Sequence, residues 1–592
     1  MSQSNEREER EEYRRVRGRP AVVEEARRQP VEHAEQRLAA SDEPPAGPSG
    51  IDRRTFLRRA GVGAAGVVVA GVLGLPEGPP QAEAVVGTVR QVRRVLIRRR
   101  RQALNYRRKA ARLAIRRNRP LTMLLNNGEE DEIPGRVANY SKALPHDALG
   151  HVDPAAYDAV LQAVTSGEPA DFDAIPLGLG RKLTSPQAGL AFDLEGPDSH
   201  SMALRPAPRI DSAENSGEMV ELYWMALCRD VLFADYDVDP TVALAAAELS
   251  SMSDFRGPKD GGVVTPATLF RGDTPGDLTG PLLSQFLWHD VPYGSLTISQ
   301  RQRTLMPGIE YMTAYPDWLA VQNGAATAPD VFDPTPRYIR TLRDLAQYVH
   351  VDALYEAYLN ACLILLGLDA PTDPGLPPVT SPNQIGFAEF GGPHVLSLVT
   401  EVATRALKAV WCAKWLVHRR LRPEEFGGRV HNHLTGAATY AIDAEVLSSA
   451  AVAATWNAHG SYLLPQAFPE GSPTHPSYGA GHATVAGACV TILKAFFDGS
   501  FVLPNPVVPT DDGTALVPWA GTPLTVGGEL DKLACNIASG RNAAGIHWRT
   551  DYSESVRLGE AVALGILEEQ KIAHNQDFTY TLTTFDGATV TI

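Results

Sequence analysis

The stretch Ser539-Gly-Arg-Asn-Ala-Ala-Gly-Ile-His547-Trp-Arg-Thr-Asp551 places one arginine, a histidine six residues later and an aspartate four beyond that. Arg541 is a permanent cation whose planar fork of donors suits a tetrahedral oxyanion. His547 offers an imidazole nitrogen that can attack or coordinate the centre of that oxyanion. Asp551 is placed to hold the other ring nitrogen and fix the tautomer. A plainer reading competes. Asp551-x-x-Glu554 precedes the apolar run Val556 to Leu567 and has the form of a helix cap, so the pattern alone does not separate a site from a helix start.

Two earlier segments add to it. Lys414-Trp-Leu-Val-His-Arg-Arg-Leu-Arg422-Pro423 supplies two more cations, and Thr474-His475-Pro-Ser-Tyr-Gly-Ala480-Gly481-His482 supplies glycines and histidines just before a helix-like run. In this order the three segments resemble the signature of the vanadium-dependent haloperoxidases and the related type 2 phosphatidic acid phosphatases. The seven-residue gap between Lys414 and Arg422 is similar to the bromoperoxidase branch, as is His475 lying seven residues before His482. Ala138 to Asp147 and Phe192 to Asp198 also look like this family.

The resemblance implies a mainly α fold of two four-helix bundles and a vanadate cofactor. It implies that Lys414, Arg422 and Arg541 bind the equatorial oxygens and that His547 is the axial ligand of vanadium. His482 would sit opposite as acid and base, Lys414 would polarise bound peroxide, and Trp411 and His475 would occupy pocket positions, His475 tuning halide choice. The implied reaction is oxidation of a halide, bromide in this branch, by hydrogen peroxide to a hypohalous species that halogenates a small organic acceptor. Independently of the family, Gly481 lets the backbone approach an anion closely and donate its N–H at a helix N-terminus. Two alternatives use the same pocket. One is an acid phosphatase with His547 as phosphoryl acceptor and His482 as leaving-group acid; the other is a non-catalytic vanadate- or phosphate-binding relative.

One position departs from the family pattern. The family's Pro-Ser-Gly-His is here Gly479-Ala480-Gly481-His482. Ala480 has no hydroxyl to donate to an equatorial oxygen, a loss on the order of 1–3 kcal/mol if that oxygen is otherwise unpaired. Ser477 and Tyr478 are the nearest hydroxyls in sequence to take over.

Other residues have simpler readings. Lys414 and Arg422 fit solvated cations near a helix C-terminus, where the macrodipole favours them. Trp411 fits a core residue and His418 a helix surface. His431-Asn-His433 has a poor helical ligand spacing and is assigned no metal. Glu129-Glu-Asp-Glu132 lacks the spaced ligands of an EF-hand and reads as a solvated acidic turn. The five cysteines are scattered with no CxxC spacing, which suggests neither a thiolate zinc site nor a dense disulfide framework. A single disulfide stays open for an exported protein.

The chain has 592 residues, 44% hydrophobic and 21% charged, with a formal net charge of −14, ordinary values for a globular protein. The charge is unevenly spread. Residues 1–119 hold 27 Lys/Arg against 14 Asp/Glu, so the remaining body is strongly acidic, which argues against nucleic-acid binding. Residues 1–50 are charged and of disordered composition. Residues 51–84 carry Asp52-Arg53-Arg54-Thr55-Phe56-Leu57, an apolar run to Leu75 and the small-residue site Ala82-Glu-Ala84, the form of a twin-arginine export signal. The expected destination is the bacterial periplasm, cell wall or medium. The apolar run is too short for a membrane span of about 20 residues, and no other stretch is apolar enough. Residues 85–120 form a basic segment with a helical pattern, and 121–592 the catalytic body.

Within that body, helical periodicity is expected over Met219–Phe233, Pro240–Leu249, Tyr338–Leu366, Val395–Leu421, Ala437–Ala458, Ala483–Phe497 and Asp551–Ile572. The alternation Phe578 to Phe585, a turn at Asp586-Gly587 and Ala588 to Ile592 predict a C-terminal hairpin. The family resemblance also implies a homo-oligomer.

Overall fold

The structure, a computed structural model, describes residues 80–117 and 124–592, with side chains from residue 91. The charged segment 1–50 and the twin-arginine stretch lie outside the described residues. The chain divides at Ile97/Arg98, and Arg98–Ile592 forms one compact unit.

The principal helices are α1 (Pro80–Arg117), α2 (Pro154–Ser166), α3 (Ala213–Leu227), α4 (Pro240–Ser251), α5 (Leu342–Tyr348), α6 (Glu356–Gly367), α7 (Gly392–Cys412), α8 (Pro423–Leu434), α9 (Ala450–His459), α10 (Gly481–Phe496), α11 (Val526–Ala543) and α12 (Arg549–Ala573). Side-chain caps explain many of the starts. Asp153, Ser212, Asp239, Thr341, Ser449 and Thr525 each accept an N–H from the first turn of the helix they precede, removing an orphan donor.

Helix α10 is the axis of the body. Every residue in it except His482 is buried, and it packs against α7, α11 and α12. Its sequence mixes four alanines, the best helix formers, with two each of Val, Thr and Gly, which are poorer ones. Burial stabilises it further, at about 1.5–3 kcal/mol for each fully buried large aliphatic side chain. Helix α12 comes unusually near. A Cβ on Gly487 of α10 would collide with the backbone of Val556, and one on Gly559 of α12 with the backbone of Thr484. The two glycines therefore let main chain meet main chain. With α7 and α11 these helices form a four-helix bundle, and α6 covers one side. A second apolar cluster gathers α3, α4, α9 and parts of α8. The described strands form three short antiparallel pairs. The last pairs Thr581–Thr583 with Thr589–Thr591, which is the predicted hairpin.

Several expected elements differ. The long helix expected over Val395–Leu421 stops at Cys412 and passes into a π-type turn, Ala413–His418. Arg419 then takes a left-handed conformation (φ 41°), and Arg422 is the N-cap of the next helix. Pro423 enforces this division, because it cannot continue a helix but suits a first turn. The stretches expected as single helices over Tyr338–Leu366 and Ala437–Ala458 are each broken in two. Helix α11 was not expected at all; glycines at both ends hide its Leu530, Leu533, Ala534, Ile537 stripe. The acidic turn is solvated only in its second half, Asp131 and Glu132. Glu129 and Glu130 are buried, Glu129 accepting from the Ile210 N–H and Glu130 gripping Arg419 and Tyr157. All five cysteines are free and buried, so the disulfide left open is absent from the structure. The basic segment is helical, in one continuous piece from Pro80, and Arg93 to Lys109 lies mostly exposed. No helix among the described residues is long and apolar enough to cross a membrane.

Candidate active site

Four chain ends converge on a cavity of about 350 Å³. They are the π turn after α7, the N-terminus of α10, the C-terminus of α11 and the N-terminus of α12. Its lining includes Trp411, His475, Gly481, His482, Arg541 and His547. The three sequence segments, 51 and 57 positions apart, are thus brought together.

Lys414 and Arg422 are completely buried, so neither is the solvated helix-end cation of the plainer reading. The Lys414 Nζ donates to the carbonyls of Pro476 (2.7 Å) and Ser477 (2.8 Å). The π turn places it there; such single-turn bulges recur at functional sites. Arg422 donates to the His475 carbonyl from Nε (3.0 Å) and Nη2 (2.8 Å), to the Ile546 carbonyl (3.1 Å), and lies 3.0 Å from His547 Nε2. Arg541 donates to the Val349 carbonyl (2.7 Å), while its Nε is buried without a partner. Among the described residues none of these three cations is ion-paired with a carboxylate.

Burial, reinforced by the neighbouring charges, shapes the titration here. It holds the Lys414 amine well below its ordinary value, with Arg422 adding to the effect. It lowers Arg422 and pushes Arg541 down to about 10. Burial, then Arg422, Lys414 and Arg541, keep His547 neutral by driving its pKa far down. His475 is lowered likewise, by burial and then by Lys414 and Arg422. An anion arriving in the cavity would relieve all of these at once.

Asp551 is not a simple cap. It is the third residue of α12, fully buried, and its Oδ2 is 2.8 Å from His547 Nδ1 and accepts the Trp548 N–H (3.2 Å). Ser477 Oγ also donates to it, and Arg420 binds its Oδ1 at 2.9 Å. The carboxylate therefore fixes the proton on Nδ1 and leaves Nε2 as a lone-pair donor. The expected Asp551-x-x-Glu554 cap is not formed: Trp548 is the N-cap, Asp551 is the third residue of the helix and accepts the N-cap N–H, and Glu554 pairs with Arg205 instead.

Gly481 opens α10, and no side chain caps that helix. Its N-terminal end is presented to the cavity, where the dipole favours an anion. A Cβ on Gly481 would press on the Trp411 ring at 3.2 Å. His482 is partly exposed, with Nε2 3.2 Å from Asp352 Oδ1. Burial would raise Asp352, but the charge and hydrogen bond of His482 outweigh it and hold the carboxyl low. Trp411 is half-buried, donates to the Thr184 carbonyl (3.2 Å) and packs 4.8 Å from His475 between ring centroids.

The hydroxyls expected to replace the missing serine are committed elsewhere. Ser477 donates to Asp551, and Tyr478 donates to the Arg205 carbonyl at 2.9 Å. The Ala480 N–H is itself taken by Ser555 Oγ at 2.8 Å. His418, expected on a helix surface, is buried against the edge of Tyr478, and burial followed by Arg419 and Arg420 pushes it down to about 3. Sequence reasoning missed His350, Glu470 and Arg181 in the cavity wall, Asp352 against His482 and Arg420 behind Asp551. Arg420, two residues from Arg422, carried a faint signal as one of three arginines within four positions; the others carried none.

A buried cluster of three cations without carboxylate partners around an oriented histidine, at the end of a helical bundle, defines an oxyanion-binding helical-bundle protein. Comparison sharpens the class. Residues 395–575 match the family model described as the VCPO second helical-bundle domain. The chain is 41% identical to the vanadium-dependent bromoperoxidase of Corallina officinalis, over 79% of this chain and 93% of that protein. It is 37% identical to the vanadium-dependent bromoperoxidase of Ascophyllum nodosum, over 79% and 87%. Its fold is similar to the second vanadate-dependent bromoperoxidase of Ascophyllum nodosum, described as homohexameric, at a TM-score of 0.79 and 30% identity over 83% of this chain and 90% of that one. The chain belongs to the vanadium-dependent bromoperoxidase family.

Proposed function

We propose that this protein oxidises bromide with hydrogen peroxide, using vanadate held in the cavity between Lys414, Arg422, Arg541, Gly481 and His547, and releases a hypohalous species that halogenates small organic acceptors. The observation that carries the reading is the donor set itself. Three buried cations without carboxylate partners, one with an orphaned Nε, and the α10 N-terminus fit a multiply charged oxyanion. Buried charge without a counter-charge is costly, and such an anion would offset that cost. Bound vanadate supplies an electrophilic oxyanion centre that activates peroxide toward halide without changing its own oxidation state.

The protein's residues do the rest. Asp551 keeps the His547 proton on Nδ1, so that Nε2 faces the anion. Lys414, fixed by two carbonyls, retains one N–H for an oxygen in the cavity and is the group that polarises it. Asp352 holds the proton on His482 Nε2 and leaves Nδ1 to take and return a proton. Trp411, Leu407 and Leu354 line an apolar side of the cavity, which restricts water and favours a weakly hydrated halide. His475 and Trp411 stand where they would select that halide.

Export by the twin-arginine stretch is part of the proposal and rests on residues 52–84. Homo-oligomerisation rests on the family and on the homohexameric relative. The test is dye bromination by the purified protein with peroxide and bromide, before and after vanadate, with phosphate as competitor. Vanadate-dependent bromination suppressed by phosphate is expected. Phosphate-ester hydrolysis without bromination would replace the reading by a phosphatase, and vanadate binding with neither activity by a binding protein.

A further inference from the structure

The cavity wall also holds the imidazole of His350, set between two carboxylates. Glu470 and His350 both line the cavity. His350 Nε2 lies 2.7 Å from Glu470 Oε1, and on the other side of the ring Nδ1 lies 3.6 Å from Asp330 Oδ2. The side chains are 13–23% exposed, so the row reaches from the cavity toward solvent without being open to it. The ring stacks on Phe468 at 3.6 Å and 10°, which holds its plane between the two carboxylates in the resting state. The Lys142 Nζ, buried and paired with Glu424, fixes the loop by donating to the Glu470 carbonyl at 2.7 Å. His350 Nδ1 and Asp330 Oδ1 are buried without a hydrogen-bond partner, leaving room for exchange at that end.

The chemistry needs such a row. Oxidation of bromide by hydrogen peroxide to hypobromous acid and water balances only with one added proton. The O–O bond breaks, bromide gives an electron pair to form Br–O, and the departing oxygen takes the proton. His482 can supply it once but must recover it before the next turnover. Resting on the proposed peroxidase reading, we infer that Asp330, His350 and Glu470 form a proton-supply row that delivers this proton into the cavity at the Glu470 carboxyl. Asp330 protonates Nδ1 as Nε2 gives its proton to Glu470, Glu470 releases the proton to water in the cavity, and a turn of the ring about its Cβ–Cγ bond brings the remaining N–H back to the Glu470 side before the next delivery. Arg181, Lys142 and Arg541 face Glu470, and Arg303 faces Asp330. Burial would raise Glu470, but the hydrogen bond and charge of His350 prevail and keep it lowered. Burial raises Asp330, so its carboxyl takes up a proton from solvent more readily than an exposed aspartate.

The test is kcat for vanadate-loaded protein as a function of pH in Glu470→Gln, Glu470→Asp and the unaltered chain. Where bulk protons are scarce, at pH 8, Glu470→Gln should lose about tenfold or more in kcat, with the loss shrinking toward pH 5. The KM for bromide and the vanadate affinity should stay within about twofold, and Glu470→Asp should recover most of the rate. Added imidazole buffer should also restore Glu470→Gln at pH 8. A loss by the same factor at every pH, or no loss, in a variant that still binds vanadate would overturn the inference. Absence of vanadate-dependent bromination in the unaltered chain would instead strike the peroxidase reading itself.

Discussion

Arg420 and Arg422 stand two residues apart, both buried, on opposite sides of Asp551 and His547. Arg420 is neutralised: it binds Asp551 (2.9 Å) and Glu218 (2.9 Å) and lies over the Trp548 ring. The Arg422 guanidinium donates only to carbonyls and imidazole nitrogens. The first is a structural ion pair. The second is a charge kept without its counter-ion, and the missing partner is the ligand. His418, in the same stretch, is a third solution, buried and kept uncharged. Burial alone therefore does not distinguish a site residue; the sign and number of its partners does.

Substitutions can break this contrast. His547→Ala should abolish vanadate-dependent bromination, and unchanged turnover would remove His547 from the site. Arg420→Gln should then destabilise the fold by about 3–5 kcal/mol in denaturant titration, because it strands two buried carboxylates. Arg422→Gln should leave unfolding without vanadate unchanged or improved, yet weaken vanadate binding by about 1.5–3 kcal/mol, or ten- to a hundredfold in Kd. Equal destabilisation by the two variants would mean that Arg422 is as structurally paired as Arg420.

His418 gives a pH signature. Its folded pKa is about 3 against about 6.5 unfolded, so the unfolded chain binds the extra proton. The stability this contributes is fully present above pH 6.5 and is lost as pH falls toward 3, at up to about 1.4 kcal/mol per unit. In urea titrations between pH 6 and 4, His418→Phe should flatten that slope by one proton; an unchanged slope would show that His418 is not held neutral. The smallest effect is at Ala480. With Ser477 and Tyr478 engaged elsewhere, Ala480→Ser should tighten vanadate binding by about 1 kcal/mol. Unaltered affinity by calorimetry would mean that another donor already serves that oxygen.

The site was legible in sequence where its chemistry is local. Lys414, Arg422, Gly481, His482, Arg541 and His547 fall in three short runs; the last four line one cavity, and Arg422 bonds to two of its lining residues, His475 and His547, while Lys414 is buried against the carbonyls of Pro476 and Ser477. The hairpin and the burial axis α10 were legible too, since strand alternation and continuous apolarity are local properties. Helix α11 was hidden by the glycines that let it start and end. The fates of Arg419 and Arg420 could not be read, because their partners are Glu130, Glu218 and Asp551, between 131 and 289 positions away, and neither could that of Arg422, whose side chain has no carboxylate partner. His418 was misplaced because one continuous helix was expected where a π turn rotates the chain. Asp352, His350 and Glu470 carry no local motif at all.

The glycines at 487 and 559 have a consequence for what can be changed in this molecule. The two helix starts that frame the anion, Gly481 on α10 and Arg549 on α12, are spaced by polypeptide thickness rather than by interlocking side groups. The gauge of the cradle is thus set independently of the halide-facing wall. Trp411, His475 and Leu407 can be varied in a library to retune halide or acceptor while the anion's seat keeps its dimensions, whereas a single methyl at 487 or 559 would widen that seat and degrade every variant alike.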